Sequence, residues 1–157
     1  MRCNPAGVGV RGRVEELFDM GGRVLVLFDG HCGLCNGAVR WLLRRDRGDR
    51  LRFMALQSEK AARVLARYGM NGAQLETMVV VRDAGGAEES VLARSDAAVA
   101  LLRELARPWP WVGTALRWVP RPVRDAGYRL VAWGRYRIWG RLESCPLPTA
   151  EERERFL

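Results

Sequence analysis

The stretch that most constrains what this chain can fold into is Arg23-Val-Leu-Val-Leu-Phe-Asp-Gly-His-Cys-Gly-Leu-Cys-Asn36. Val24 to Phe28 is an unbroken apolar run with the length and composition of a buried strand. Asp29-Gly30 is a turn signal, and the residues after Cys35 read as a helix. Two cysteines three apart around a helix start can bring their sulfurs to bonding distance with little backbone strain. Cys32 then sits where a helix N-terminus presents unpaired N–H groups and a partial positive charge, a field that stabilises a thiolate. Cys35, one turn inside, is expected to be the more buried sulfur and to react second.

The elements that follow are ordered simply. A helix from about Gly33 to Asp46 places Ala38, Val39, Leu42 and Leu43 on one side and Arg40, Arg44 and Arg45 on the other, and Gly48 ends it. Leu51 to Leu56 reads as a second strand. Ser58 is the expected N-cap of a helix carrying Ala61, Ala62, Leu65 and Tyr68 inward, stopped by Gly69. Thr77 to Arg82 is a third strand, Asp83 to Gly86 a turn, and Ser90 to Ala93 a shorter strand, an antiparallel hairpin. Ser95-Asp96 opens a helix with Val99, Leu101, Leu102 and Leu105 inward, stopped by Pro108. The order βαβα then ββα predicts an α/β, thioredoxin-like fold: a central mixed sheet of about four strands, helices on both faces, and a C-terminal helical extension.

That extension begins with the aromatic segment Trp109 to Val119 and continues, past Pro120 and Pro122, as a helical pattern from about Val123 to Trp139. Ala126, Leu130, Val131 and Ile138 mark its apolar face, and Arg124, Arg129, Arg135, Arg137 and Arg141 its basic one. The expected organisation is an N-terminal arm over 1–22, a core over 23–107, the extension packed on the core over 108–148, and a tail over 149–157. A short helical turn is expected at Val14 to Phe18.

Composition narrows the function. The 157 residues carry a net charge of +8, almost all of it arginine, with Lys60 the only lysine. The arginines are spread over every predicted helix and no nucleic-acid-binding motif is present, so no nucleic-acid partner is expected. Four cysteines (Cys3, Cys32, Cys35 and Cys145) are too few for a disulfide-scaffolded secreted domain. Neither a signal-peptide pattern nor an apolar run of membrane-spanning length is visible, so a cytoplasmic location is expected. There a Cys-x-x-Cys points to redox catalysis or metal binding.

Asp29-Gly-His-Cys-Gly-Leu-Cys-Asn36 resembles the D-G-x-C-x-x-C-N signature of the DCC family, predicted thiol–disulfide oxidoreductases named for that Asp-Cys-Cys set. Arg94 to Ala98 is similar to the family segment that opens its third helix. Pro120, Arg124-Asp125, Tyr128, Arg135-Tyr136-Arg137 and Cys145 with Pro146 and Pro148 resemble its C-terminal stretch. The resemblance spans Val24 to Pro148 and implies a thioredoxin-like fold with dithiol chemistry. One departure from thioredoxins is that Leu75-Glu76-Thr77-Met78 has no proline where they place a cis-proline before the third strand. A non-proline cis bond costs about 2.5–4 kcal/mol, so Thr77-Met78 is expected to be trans.

The candidate catalytic residues are therefore Cys32 as nucleophile, Cys35 as resolving thiol, and Asp29. Asp29 is either a turn former or a carboxylate that takes the proton from Cys35; the same charge would disfavour a Cys32 thiolate. His31 is expected to face solvent, Gly30 and Gly33 to serve backbone geometry, Cys145 to be a buried structural thiol and Cys3 an incidental one. The leading function is a thiol–disulfide oxidoreductase acting on a disulfide-containing protein or small thiol, with a separate electron donor and no dissociable cofactor. Two other readings stay open: Cys32 and Cys35 as half of a zinc site, or a redox-sensing interaction protein whose Trp/Arg extension rests on a membrane or a membrane partner.

Overall fold

The computed structural model describes residues 22–71, 77–142, 149 and 152–157. The arm over 1–21, with Cys3 and the turn expected at Val14 to Phe18, lies outside them, as do Leu75, Glu76, Cys145, Pro146 and Pro148. The described elements are β1 (Val24–Phe28), α1 (Gly33–Leu43), β2 (Leu51–Ala55), α2 (Glu59–Arg67), β3 (Val79–Arg82), β4 (Ser90–Ala93), α3 (Arg94–Glu104), α4 (Trp109–Trp118), α5 (Arg121–Ile138) and a 3-10 turn at Arg153–Arg155. The strands form one mixed sheet in the order β2-β1-β3-β4, with β1 parallel to β2 and antiparallel to β3. β3 and β4 make the expected antiparallel hairpin. This is the α/β, thioredoxin-like architecture.

Period-two alternation along β1 decides which helix covers which face. Leu25 and Leu27 join Val79 and Val81 beneath Ala61, Val64 and Leu65 of α2. Val24, Val26 and Phe28 join Leu51, Phe53 and Val80 beneath Val39 and Leu42 of α1 and Ala97 and Leu101 of α3. Both faces are covered, so β1 is buried throughout and reads as a continuous apolar run. Ser58 caps α2 by accepting from Ala61 N–H at 3.1 Å, and Gly69 leaves the helix with φ +67°.

Several boundaries differ from the sequence expectation for identifiable reasons. α1 stops at Leu43 because the buried Asp46 carboxylate accepts from the N–H groups of Arg50 and Leu51, folding the chain straight into β2. In α2 it is Val64, not Ala62, that turns inward with Ala61 and Leu65. β3 starts two residues later than expected, at Val79. Ser95-Asp96 does not cap α3; Ser95 is buried within its first turn and donates to Asp125, while Arg94 makes the strand-to-helix turn at φ +56°. α5 starts at Arg121 and not Val123, since Pro122 needs no N–H partner in a first turn. Thr77–Met78 is trans; among the described residues the one cis peptide bond is Arg107–Pro108.

The largest difference lies in the extension. Helix α4 packs on α3 through Gly113, whose missing side chain lets it approach Leu102 and the Val99 carbonyl, and Trp109 stacks edge-on against Trp41. Helix α5 crosses α1 and α3, pinned at its start by Arg121 and Arg124, each 3.0 Å from Asp96. Three of the four residues expected on the inward face do not take it: Leu130 is 67% and Ile138 70% exposed, and Ala126 is exposed as well, whereas Val131 borders a cleft against α1 and α3. Arg135, expected on the basic outer side, is 3% exposed. The last residues also return to the core, where Leu157 N–H donates to the Phe53 carbonyl and Phe156 packs against Phe28 and Phe53.

Candidate functional site

The turn between β1 and α1 is held by side chains from three parts of the chain. Cys32 is the N-cap of α1, and its sulfur accepts from Cys35 N–H at 3.3 Å, the bond that a Ser or Asp oxygen makes in an ordinary cap. Asn36 Nδ2 reaches back to the carbonyls of Gly30 and Cys32, at 2.8 and 3.0 Å. Gln57, just past β2, accepts from Gly30 N–H and donates to Asp29 Oδ1. The loop is therefore fixed before any substrate arrives.

Asp29 is buried and fully engaged. It accepts from His31 N–H at 3.0 Å, Gln57 Nε2 at 2.8 Å and the Tyr136 hydroxyl at 2.6 Å, with Arg135 Nη2 at 3.9 Å from Oδ2. Burial pushes its pKa up, but the Tyr136, His31 and Gln57 hydrogen bonds and the Arg135 charge more than offset this and hold it below the ordinary carboxylate value. Asp29 shapes the turn, and its charge is felt by both sulfurs. An acid held this firmly ionised is a poor acceptor for the Cys35 proton.

The two thiols are driven apart. The Cys35 thiol donates to the Cys32 sulfur, and this hydrogen bond, with the Cys35 N–H and the Arg135 charge, outweighs burial and Asp29 to lower the Cys32 pKa to about 6. The same hydrogen bond, burial and the neighbouring anion push the Cys35 pKa strongly upward. At neutral pH the arrangement is a Cys32 thiolate beside a Cys35 thiol. Partial desolvation and the hydrogen bond it donates to Asp29 raise the Tyr136 pKa to about 12, so it stays a donor.

Access runs opposite to the expectation. Cys32 is 0% exposed, while Cys35 is only half-buried. The cover over Cys32 is the backbone after α5: Gly33 N–H donates to the Gly140 carbonyl, Leu142 N–H donates to the His31 carbonyl at 2.8 Å, and Arg141 pairs with Cys32 as an isolated bridge. A methyl group on Gly33 would collide with the Trp139 carbonyl oxygen, so this crossing requires glycine. His31 is half-buried instead of facing solvent freely. Cys35 instead borders an apolar cleft of about 300 Å³ between α1, α3 and α5.

The residues that sequence reasoning assigned, Asp29, Cys32 and Cys35, are brought together. Those it missed are Arg135, Tyr136, Gln57 and Asn36. A signal for Arg135 did exist: Tyr128, Val131, Ala132 and Arg135 follow the i, i+3, i+4, i+7 spacing of one helix face, and all four border the cleft. Among the described residues, no group of three or more His, Cys, Asp or Glu side chains gathers where a metal ion could be held. Cys3 and Cys145, the remaining cysteines a zinc site would need, lie outside those residues.

A family model described as DCC1-like thiol-disulfide oxidoreductase matches residues 26–141. The chain is 35% identical over 133 residues to the uncharacterized protein YuxK of Bacillus subtilis (strain 168), covering 85% of this chain and 93% of that one. It is likewise 35% identical over 133 residues to a chloroplastic DCC family protein of Arabidopsis thaliana, covering 85% of this chain and 74% of that protein. No solved structure matches.

Proposed function

Since this chain belongs to the DCC1-like thiol-disulfide oxidoreductase family, we propose that it exchanges disulfides through the Cys32–Cys35 pair. The observation that carries this reading is the asymmetry of the two thiols: one sulfur held as an anion by the helix start, the Cys35 donors and Arg135, the other held protonated against it. A thiolate is the nucleophile and the better leaving group in thiol–disulfide exchange. A substrate disulfide opens onto one sulfur of the pair to give a mixed disulfide. Attack by the second sulfur then closes the Cys32–Cys35 bond and releases the reduced product. The protein gives up two electrons, and a separate dithiol or other donor restores it. Asp29 acts as a positioning residue that holds Tyr136 by a hydrogen bond and Arg135 by its charge.

The test is disulfide reduction with dithiothreitol as donor. Cys32→Ser and Cys35→Ser should each fall to the uncatalysed rate, and Tyr136→Phe should retain partial activity. Full activity in either cysteine variant would overturn the reading.

One observation favours a second, compatible role for the extension. Trp111, Trp118, Trp133, Leu130 and Ile138 are all exposed on α4 and α5. Over 109–142 the chain carries seven arginines against one acidic residue, Asp125. An apolar, aromatic surface laced with arginine suits peripheral contact with an anionic membrane. No helix among the described residues is long and apolar enough to cross one.

A further inference from the structure

The cleft beside Cys35 lies on the sulfur that the sequence alone assigned second. Its walls come from three helices and the start of β3, with Leu34, Trp41, Met78, Leu102 and Val131 among them. The lining residues with polar side-chain atoms are few: Cys35, Arg135, Tyr128 and Trp41. Tyr128 is already engaged with Thr77 Oγ1 and Met78 N–H, at 2.9 and 3.1 Å. Arg135 is engaged with Tyr136 and Asp29. A cavity of about 300 Å³ is at the small end of sites that enclose a low-molecular-weight ligand. What this one offers is a mainly apolar lining with a redox sulfur and an arginine on its wall.

Taking the dithiol chemistry proposed above as given, we propose that this cleft admits a small, uncharged disulfide or thiol with an apolar body, and that the mixed disulfide forms on Cys35 and not on Cys32. The covered position of Cys32 beneath residues 139–142 and the open position of Cys35 on the cleft wall carry this inference together. The Cys35 thiol proton, already directed at Cys32 Sγ, passes to it as Cys35 Sγ attacks one substrate sulfur. The substrate S–S bond breaks, and the first thiolate leaves beside Arg135, taking that proton back from Cys32. Cys32 Sγ then attacks Cys35 Sγ, the mixed disulfide breaks, and the second thiolate leaves and is protonated by water. Two electrons pass from the dithiol to the substrate, and the Cys32–Cys35 bond remains. In the reverse direction an apolar thiolate in the cleft attacks Cys35, and Cys32 departs as the stabilised leaving group.

The experiment uses dipyridyl disulfide, a neutral aromatic probe that releases an absorbing thiopyridone, with hydroxyethyl disulfide as the polar comparison. Each rate is normalised to that of a free thiol. The Cys32→Ser protein should take up one probe group on Cys35, located by mass mapping. The Cys35→Ser protein should label at Cys32 more slowly by a factor of about ten or more, because that sulfur is covered. Ala132→Phe, which fills the cleft from the α5 side, should lower the preference for the aromatic over the polar probe severalfold. Equal or faster labelling of Cys32 in the Cys35→Ser protein, or an unchanged preference in Ala132→Phe, would overturn the inference. A glutathione titration of the unsubstituted protein separates the two levels. A reversible Cys32–Cys35 bond with failed probe results removes only the cleft assignment, whereas no such bond removes the dithiol reading with it.

Discussion

A sulfur that caps a helix replaces an oxygen that would otherwise satisfy the first free N–H groups, and it does so best as an anion. For Cys32 this yields a direct expectation: the thiolate absorbance of the reduced protein titrates with a midpoint near 6, against an ordinary value of 9.0. Arg135→Met removes a nearby cation and should move that midpoint upward. The same shift sets a stability profile. Because the folded value is depressed, the stabilisation of the reduced protein by this anion is fully present above about pH 9. It is lost as pH falls through about 6. Thermal melts of the reduced protein should therefore gain on those of a Cys32→Ser variant between these limits as pH rises, and parallel curves would contradict the assignment. Tyr136→Phe deletes a hydrogen bond to the buried Asp29 carboxylate and should cost about 1.5–3 kcal/mol in denaturant unfolding.

At the scale of elements, the site is built by one helix reaching back across another. α5 delivers Tyr128 to the start of β3, Arg135 and Tyr136 to Asp29, and the backbone of residues 139–142 to the cover over Cys32. Gly33→Ala should push that cover away and speed labelling of Cys32 in a Cys35→Ser background, with little change in the labelling of unfolded protein. Much of this architecture was legible in the chain. β1, the cysteine turn, the Ser58 cap and the β3–β4 hairpin follow from local patterns that tertiary packing does not reverse. The face of α5 is misassigned by hydrophobicity alone, because its apolar residues are split between two sides. Choosing Leu130 and Ile138 as inward follows the hydrophobic rule, but the inward side is the one that supplies a counter-ion to Asp29. A buried arginine is worth its desolvation only where a carboxylate and thiolates await it, and those partners stand about a hundred residues earlier in sequence. The order of exposure of the two cysteines was hidden for the same reason: the segment covering Cys32 is distant in sequence.

For the molecule as a whole, a covered two-faced sheet supplies rigidity at one end, and an unusually apolar, arginine-rich exterior lies over the other. If the extension rests on an anionic bilayer, sedimentation with phosphatidylserine-containing vesicles should be strong at low salt, weaken as salt rises and fall in a Trp118→Ala/Trp133→Ala protein. No binding at low salt would sink that reading. The redox claim is independent of it and is tested most directly by equilibrating the metal-free protein in glutathione buffers, quenching with alkylating reagent and mapping the cysteines by mass. The account predicts a single reversible transition in which Cys32 and Cys35 are lost and regained together as one intramolecular bond. Two thiols that stay reduced, or that each pair separately with glutathione and never with one another, would contradict it.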